Sequence, residues 1–144
     1  MNEDLQKAIK ILKEKKYKIA VVKDGELIYG KDGRGISPLL ELYENKDLDL
    51  TNSSAADKVV GNAAALLYKD LGVAQVYGEL ASFSALEVLK KAGIFTETEK
   101  KVPYILAPDK QNICPMEQLA RKSINGEDFA RRARQFLTEL LKQV

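Results

Sequence analysis

The chain has 144 residues, 45% of them apolar and 31% charged, and a net charge of +2. That length and balance predict one soluble globular domain over residues 1–144, able to bury a core without a disulfide or metal staple. The small charge argues against a nucleic-acid partner, and no apolar run reaches the ~20 residues of a membrane span. One cysteine and no histidine leave too few ligands for a catalytic zinc, so neither metal nor cofactor is expected. The lone cysteine excludes an internal disulfide and fits a reducing cytoplasm. The acidic, interrupted start, MNEDLQKAIKILKEKK, is not patterned as a signal peptide.

In chain order, residues 3–16 place Leu5, Ala8, Ile9 and Leu12 on one stripe with Lys7, Lys10 and Lys13 largely off it, which predicts an amphipathic helix. In KIAVVKDGELIYG, the run Ile19–Val22 and its return at Leu27–Tyr29 flank Asp24-Gly25, a dipeptide suited to the positive φ angles of a tight hairpin. The glycine-rich KDGRG then leads into a helix, with Ser37 as the expected N-cap, Pro38 in the first helical position and Leu39, Leu40 and Tyr43 inward.

In NSSAADKVVGNAAALLYKDLG, Ser54 and Asp57 have capping-box spacing, which predicts a long helix from that point to a stop at Gly72. VAQVYGEL reads as a strand buried on both faces. SFSALEVLKKAG reads as a helix opened by Ser82 or Ser84 and closed by Gly93. A strand is expected over Val102–Leu106, with a short extended piece near Phe95, and a short helix from Cys114 to near Asn125-Gly126. Phe129, Ala133, Phe136, Leu137, Leu140 and Val144 form one stripe of a last helix. Helix, hairpin, then alternating helices and strands imply an α/β fold. It would be a three-layer α-β-α domain whose mixed sheet joins an N-terminal antiparallel hairpin to parallel strands.

Three segments could carry chemistry. In SSAADKVVGNAAA, Gly61 inside the expected helix costs ~1 kcal/mol relative to alanine, so the slim face with Ala63–Ala65 serves either close packing or a ligand. Asp57 suits a first helical turn, whereas Lys58 there is mildly disfavoured and becomes a candidate anion contact. In NICPMEQLA, Cys114 would cap the helix, Pro115 open it and Glu117 reach back to the Cys114 amide. The helix dipole there favours a thiolate, although a buried inert cysteine fits the pattern too and no histidine is present to assist. In KDGRGIS, glycines flank Arg34 before a helix start, where amides and a guanidinium could hold an anion. Ser82 follows a strand at its carboxyl end, where ligands gather in such sheets, or it simply caps a helix.

ADKVVGNAAA, the upstream GRGISPLLELYE and the downstream CPMEQLA resemble an uncharacterised bacterial family of the cytidine-deaminase-like superfamily, over most of the chain. The resemblance implies the α-β-α fold and marks Asp57, Lys58, Gly61, Cys114, Pro115 and Glu117 as motif residues. Position 62, often lysine in that pattern, is Asn62 here. Zinc deaminases of the superfamily open one helix with a His or Cys beside a Glu and the next with paired cysteines. Here the expected starts read Ala56-Asp57-Lys58 and ASFSALE, which leaves the fold without its zinc ligands.

The expectation is therefore a metal-free pocket in which Lys58, Gly61, Asn62, Arg34 and Ser82 meet a small polar or anionic ligand, such as a nucleotide. Alternatively, Cys114 serves as nucleophile or redox thiol with Asp57 or Glu117 as acid or base. A third expectation is a homodimer formed through the last helix.

Overall fold

The computed structural model describes residues 2–143. Its elements are α1 (Glu3–Lys15), β1 (Ile19–Lys23), β2 (Glu26–Lys31), α2 (Ser37–Glu44), β3 (Ser54–Val60), α3 (Asn62–Leu71), β4 (Gln75–Ser82), α4 (Phe83–Lys91), β5 (Phe95–Val102), α5 (Pro115–Lys122) and α6 (Gly126–Lys142). The five strands form one sheet in the order β2-β1-β3-β4-β5. β1 pairs antiparallel with both β2 and β3, and β3, β4 and β5 run parallel. The mixed sheet, with its N-terminal hairpin, is as the sequence predicts.

Alternation along the strands builds two cores. Leu5, Ala8 and Leu12 of α1 pack on Ala20, Val22, Ala56 and Tyr77. On the opposite face, Ile19, Val21, Ala55 and Val76 meet the remaining helices through side chains such as Leu39, Leu67, Leu89 and Phe129. The result is a helix–sheet–helix sandwich. Asn2 caps α1 by accepting from the Leu5 amide at 2.9 Å. Asp24 and Gly25 take φ of 52° and 81°, as a two-residue hairpin turn requires.

Four expectations need correction. The long helix expected from Ser54 is instead a strand, β3, followed by Gly61 and a shorter helix; Ser54 and Asp57 form no capping box. Alanine's helix preference yields here to a central position between β1 and β4, where Ala55 and Ala56 are both fully buried. β5 ends at Val102 rather than beginning there, because Pro103 has no amide for the ladder; beyond it Leu106 makes only an isolated bridge to Ile113. Ser37 is the first residue of α2, not its cap, and Ile36 in the cap position provides no side-chain bond. α5 ends at Lys122, and Asn125 caps α6 by accepting from the Asp128 amide. Of the final stripe, Phe129 and Ala133 are buried, while Phe136 and Leu140 are 36% and 50% exposed. Val144 lies outside the described residues.

A candidate small-molecule cavity

The carboxyl end of β3 is where the sheet opens. The strand stops at Val60, Gly61 turns the chain in an extended conformation, and α3 starts at Asn62. β1 runs antiparallel alongside, with Ile19 opposite Asp57, so the residue before β1 reaches the same end of the sheet. That residue is Lys18. Its amide donates to the Lys31 carbonyl at 2.8 Å and its carbonyl accepts from the Lys58 amide at 3.0 Å, which fixes it between β2 and β3.

The Lys18 ammonium lies 2.5 Å from Oδ1 of Asp57, and the two side chains are 7% and 0% exposed. The Tyr68 hydroxyl donates to the other Asp57 oxygen at 2.6 Å, and the Val59 amide approaches Oδ1 at 3.2 Å. Burial, then the neighbouring negative Asp57, pushes the Tyr68 phenol well above its ordinary value, so it remains a donor. A carboxylate this deep persists only when paired and hydrogen-bonded. The Lys18–Asp57–Tyr68 chain supplies both.

Glu117, in the first turn of α5, does not reach back to Cys114. Its carboxylate crosses to α3 and accepts from the Asn62 amide at 2.7 Å and the Ala63 amide at 2.8 Å. It thereby satisfies two of the orphan donors of that helix and sits on the positive end of its dipole. The Cys114 amide instead donates to the Ile105 carbonyl at 3.0 Å. Burial pushes the Glu117 carboxyl above the ordinary range, against the two amides and Arg121, which pull it down. Gly61 is required by this contact: a Cβ there would lie 2.7 Å from Oε2 and closer still to Oε1 and Cδ. The glycine thus serves a close approach after all, to a carboxylate rather than to the sheet.

Between these groups is a cavity of about 290 Å³. Lys18, Gly61, Cys114 and Glu117 line it, with apolar wall from Ile36, Val59, Leu106 and Met116. The segment between β5 and α5 forms one side, held by the Leu106–Ile113 bridge and an Ala107 amide bond to Asn112 at 2.8 Å.

The residues expected to converge do so only in part. Cys114, Gly61 and Glu117 line one cavity. Asp57 lies beneath it, spent on Lys18 and Tyr68. Lys58 is half-buried on β3 and does not line the cavity. Arg34 is exposed on the loop whose neighbours Gly35 and Ile36 form part of the wall. Asn62 and Ser82 do not line this cavity; they border a smaller recess with Glu117, Tyr104 and Arg121, and Ser82 caps α4 by accepting from the Ala85 amide at 3.2 Å. The sequence pattern does not mark Lys18 or Tyr68 as site residues. A lone aspartate in a small, buried stretch calls for a cation, but nothing in the sequence singles out Lys18 from its lysine neighbours.

Helices α3 and α4 start at Gly61-Asn62-Ala63 and Ser82-Phe83-Ser84, and no helix starts at Ala56-Asp57-Lys58. Neither holds a thiol or imidazole, and among the described residues no cluster of three or more His, Cys, Asp or Glu could hold a metal ion. These side chains do not fit a catalytic zinc. Among the described residues no helix is long and apolar enough to cross a membrane.

Residues 7–137 match the family model described as TM1506, domain of unknown function DUF1893. The chain belongs to the DUF1893 family. The crystal structure of a DUF1893 family protein, TM1506 from Thermotoga maritima, is 25% identical, with a TM-score of 0.83 over 94% of this chain and 91% of that one. The dCMP deaminase of cyanophage S-TIM5 in apo form is 15% identical with a TM-score of 0.46, over 68% of this chain and 99% of that chain. A Thermotoga maritima diaminohydroxyphosphoribosylaminopyrimidine deaminase/5-amino-6-(5-phosphoribosylamino)uracil reductase is 16% identical with a TM-score of 0.49, over 83% of this chain and 41% of that chain. No curated protein matches the chain.

Proposed function

We propose that the protein, as a single cytoplasmic domain, binds a small polar ligand in the cavity between α3, α5 and the two flanking loops. The observation that carries this is a cavity with apolar walls into which two charged side chains, Lys18 and Glu117, are buried to 6% and 8% exposure. Ligand pockets combine the same features: a mostly apolar lining and a few placed polar groups. At about 290 Å³ the cavity is near the small end of the ~300–1,000 Å³ range, which favours a compact molecule over a whole nucleotide. The α3 amides that a phosphate would seek are already taken by Glu117, so an anion there would have to displace it.

The test is a melting-temperature panel of small polar compounds on the wild type and on Leu106→Trp, which fills the cavity from its wall. A ligand specific to the folded state raises the melting temperature, by ~2.7 kcal/mol of added stability at a hundredfold excess over Kd. The expected result is a shift in the wild type that Leu106→Trp abolishes. A broad panel with no shift, or a shift that survives in Leu106→Trp, overturns the reading.

A second reading, thiol chemistry, rests on Cys114 lining the same cavity beside Glu117. Glu117, not Asp57, is then the available proton carrier. It requires Cys114 to be alkylated by iodoacetamide in the folded protein at least as fast as in the unfolded chain, and a protected thiol refutes it. Exposed Phe136, Leu140 and Leu141 on the last turns of α6 support a homodimer, and light scattering that shows a monomer at every concentration removes it.

A further inference from the structure

Three features of the cavity floor define its ligand further, given the pocket reading above. Lys18 is 6% exposed and lines the cavity, yet among the described residues its ammonium has a single hydrogen-bond partner, Asp57 Oδ1. An ammonium carries three donors, so two are unspent where Lys18 meets the cavity. A buried ammonium gains from each further acceptor, and the cavity is the space it faces. Secondly, Glu117 keeps lone pairs free beyond the two it gives to the Asn62 and Ala63 amides, and it faces the same space. Thirdly, the charges cancel locally. Lys18 is matched by Asp57, and Glu117 is matched by the amides at the start of α3. An anionic ligand would face Glu117 with no uncommitted cation, and a cationic ligand would face Lys18. Beside side chains this buried, either repulsion is costly.

We infer that the cavity selects an uncharged carbonyl compound of amide or lactam type. Its oxygen accepts from Lys18, its N–H donates to Glu117, and its carbon skeleton lies against Ile36, Val59, Leu106 and Met116.

Three six-membered rings separate the alternatives: 2-piperidone (uncharged lactam), cyclohexanecarboxylate (anion) and piperidinium (cation). Each is titrated into ¹⁵N-labelled protein while the Asn62 and Ala63 amide signals are followed, since these amides bond Glu117 at the cavity floor. The lactam is expected to shift both signals saturably, with each charged ring at least about tenfold weaker, the worth of a hydrogen bond to a charged group. The double variant Lys18→Met/Asp57→Asn removes the ammonium without leaving an unpaired buried charge, and it is expected to weaken the lactam about tenfold. Equal or tighter binding of the anion or the cation overturns the inference, as does an unchanged lactam affinity in a folded double variant. Should that variant not fold, the ranking of the three rings on the wild type decides alone. If no ring binds but the melting panel yields a ligand that Leu106→Trp abolishes, the carbonyl class is wrong and the pocket stands. If both are empty, the pocket reading itself fails.

Discussion

Replacing Lys18 by methionine tests the floor of the cavity most sharply. Methionine keeps the length and apolar volume of the stem and removes only the ammonium, leaving Asp57, 0% exposed, with the Tyr68 hydroxyl and the Val59 amide as its remaining partners. Breaking a buried pair from one side costs about 3–5 kcal/mol, because the other charge stays behind without compensation. For a chain of this size that is a fall in melting temperature of roughly 10–20 °C. Urea denaturation gives the free energy directly from the midpoint and slope. The double variant Lys18→Met/Asp57→Asn retains an acceptor for Tyr68 and is expected to recover at least half of the loss. A single variant within about 1 kcal/mol of wild type would refute the reasoning, since a pair worth that little behaves as an exposed one.

Other consequences follow from the same geometry. Gly61→Ala drives a methyl into the Glu117 carboxylate and is expected to cost about 1–3 kcal/mol by equilibrium unfolding; a neutral effect would show that Glu117 moves aside freely. Tyr68→Phe leaves one Asp57 oxygen without its donor and should cost about 1.5–3 kcal/mol, measured the same way, with no loss if water replaces the hydroxyl. Glu117 has its carboxyl raised by burial, so the folded state holds that proton more tightly than the unfolded chain. Its favourable contribution is complete below the ordinary glutamate range and is lost as pH rises through the raised folded value. Stability curves of wild type and Glu117→Gln between pH 4 and 7 should therefore move in favour of the glutamine variant as pH rises; parallel curves would contradict the shift.

The elements legible in the sequence were those with a strong local signal. α1 and α6 carry apolar stripes at helical spacing, and the β1–β2 hairpin carries Asp24-Gly25 between β-branched runs. β3 was illegible because Ser54–Val60 is rich in alanine and mimics a capped helix start; only its pairing with β1 and β4 makes it a strand, and pairing is a long-range fact. That misreading placed Asp57 at a helix start instead of in a buried ion pair. Gly61 stands out in the sequence as a helix-interior glycine, but it lies between β3 and α3, where the Glu117 carboxylate leaves no room for a Cβ; Cys114 stands out as a thiol at a helix start, and it lies just before α5 on the cavity wall. Capping-box spacing points Glu117 to a partner within its own helix, whereas the actual contact spans 55 residues to another.

The proposed ligand site is the cavity bounded by Lys18, Gly61, Cys114 and Glu117. The most direct measurement is an amide chemical-shift map of ¹⁵N-labelled protein titrated with the polar-compound panel. Binding in the cavity is expected to give saturable shifts clustered at residues 59–64, 105–106 and 114–117. Shifts confined to α6 or scattered over the surface, or none across the panel, would contradict it.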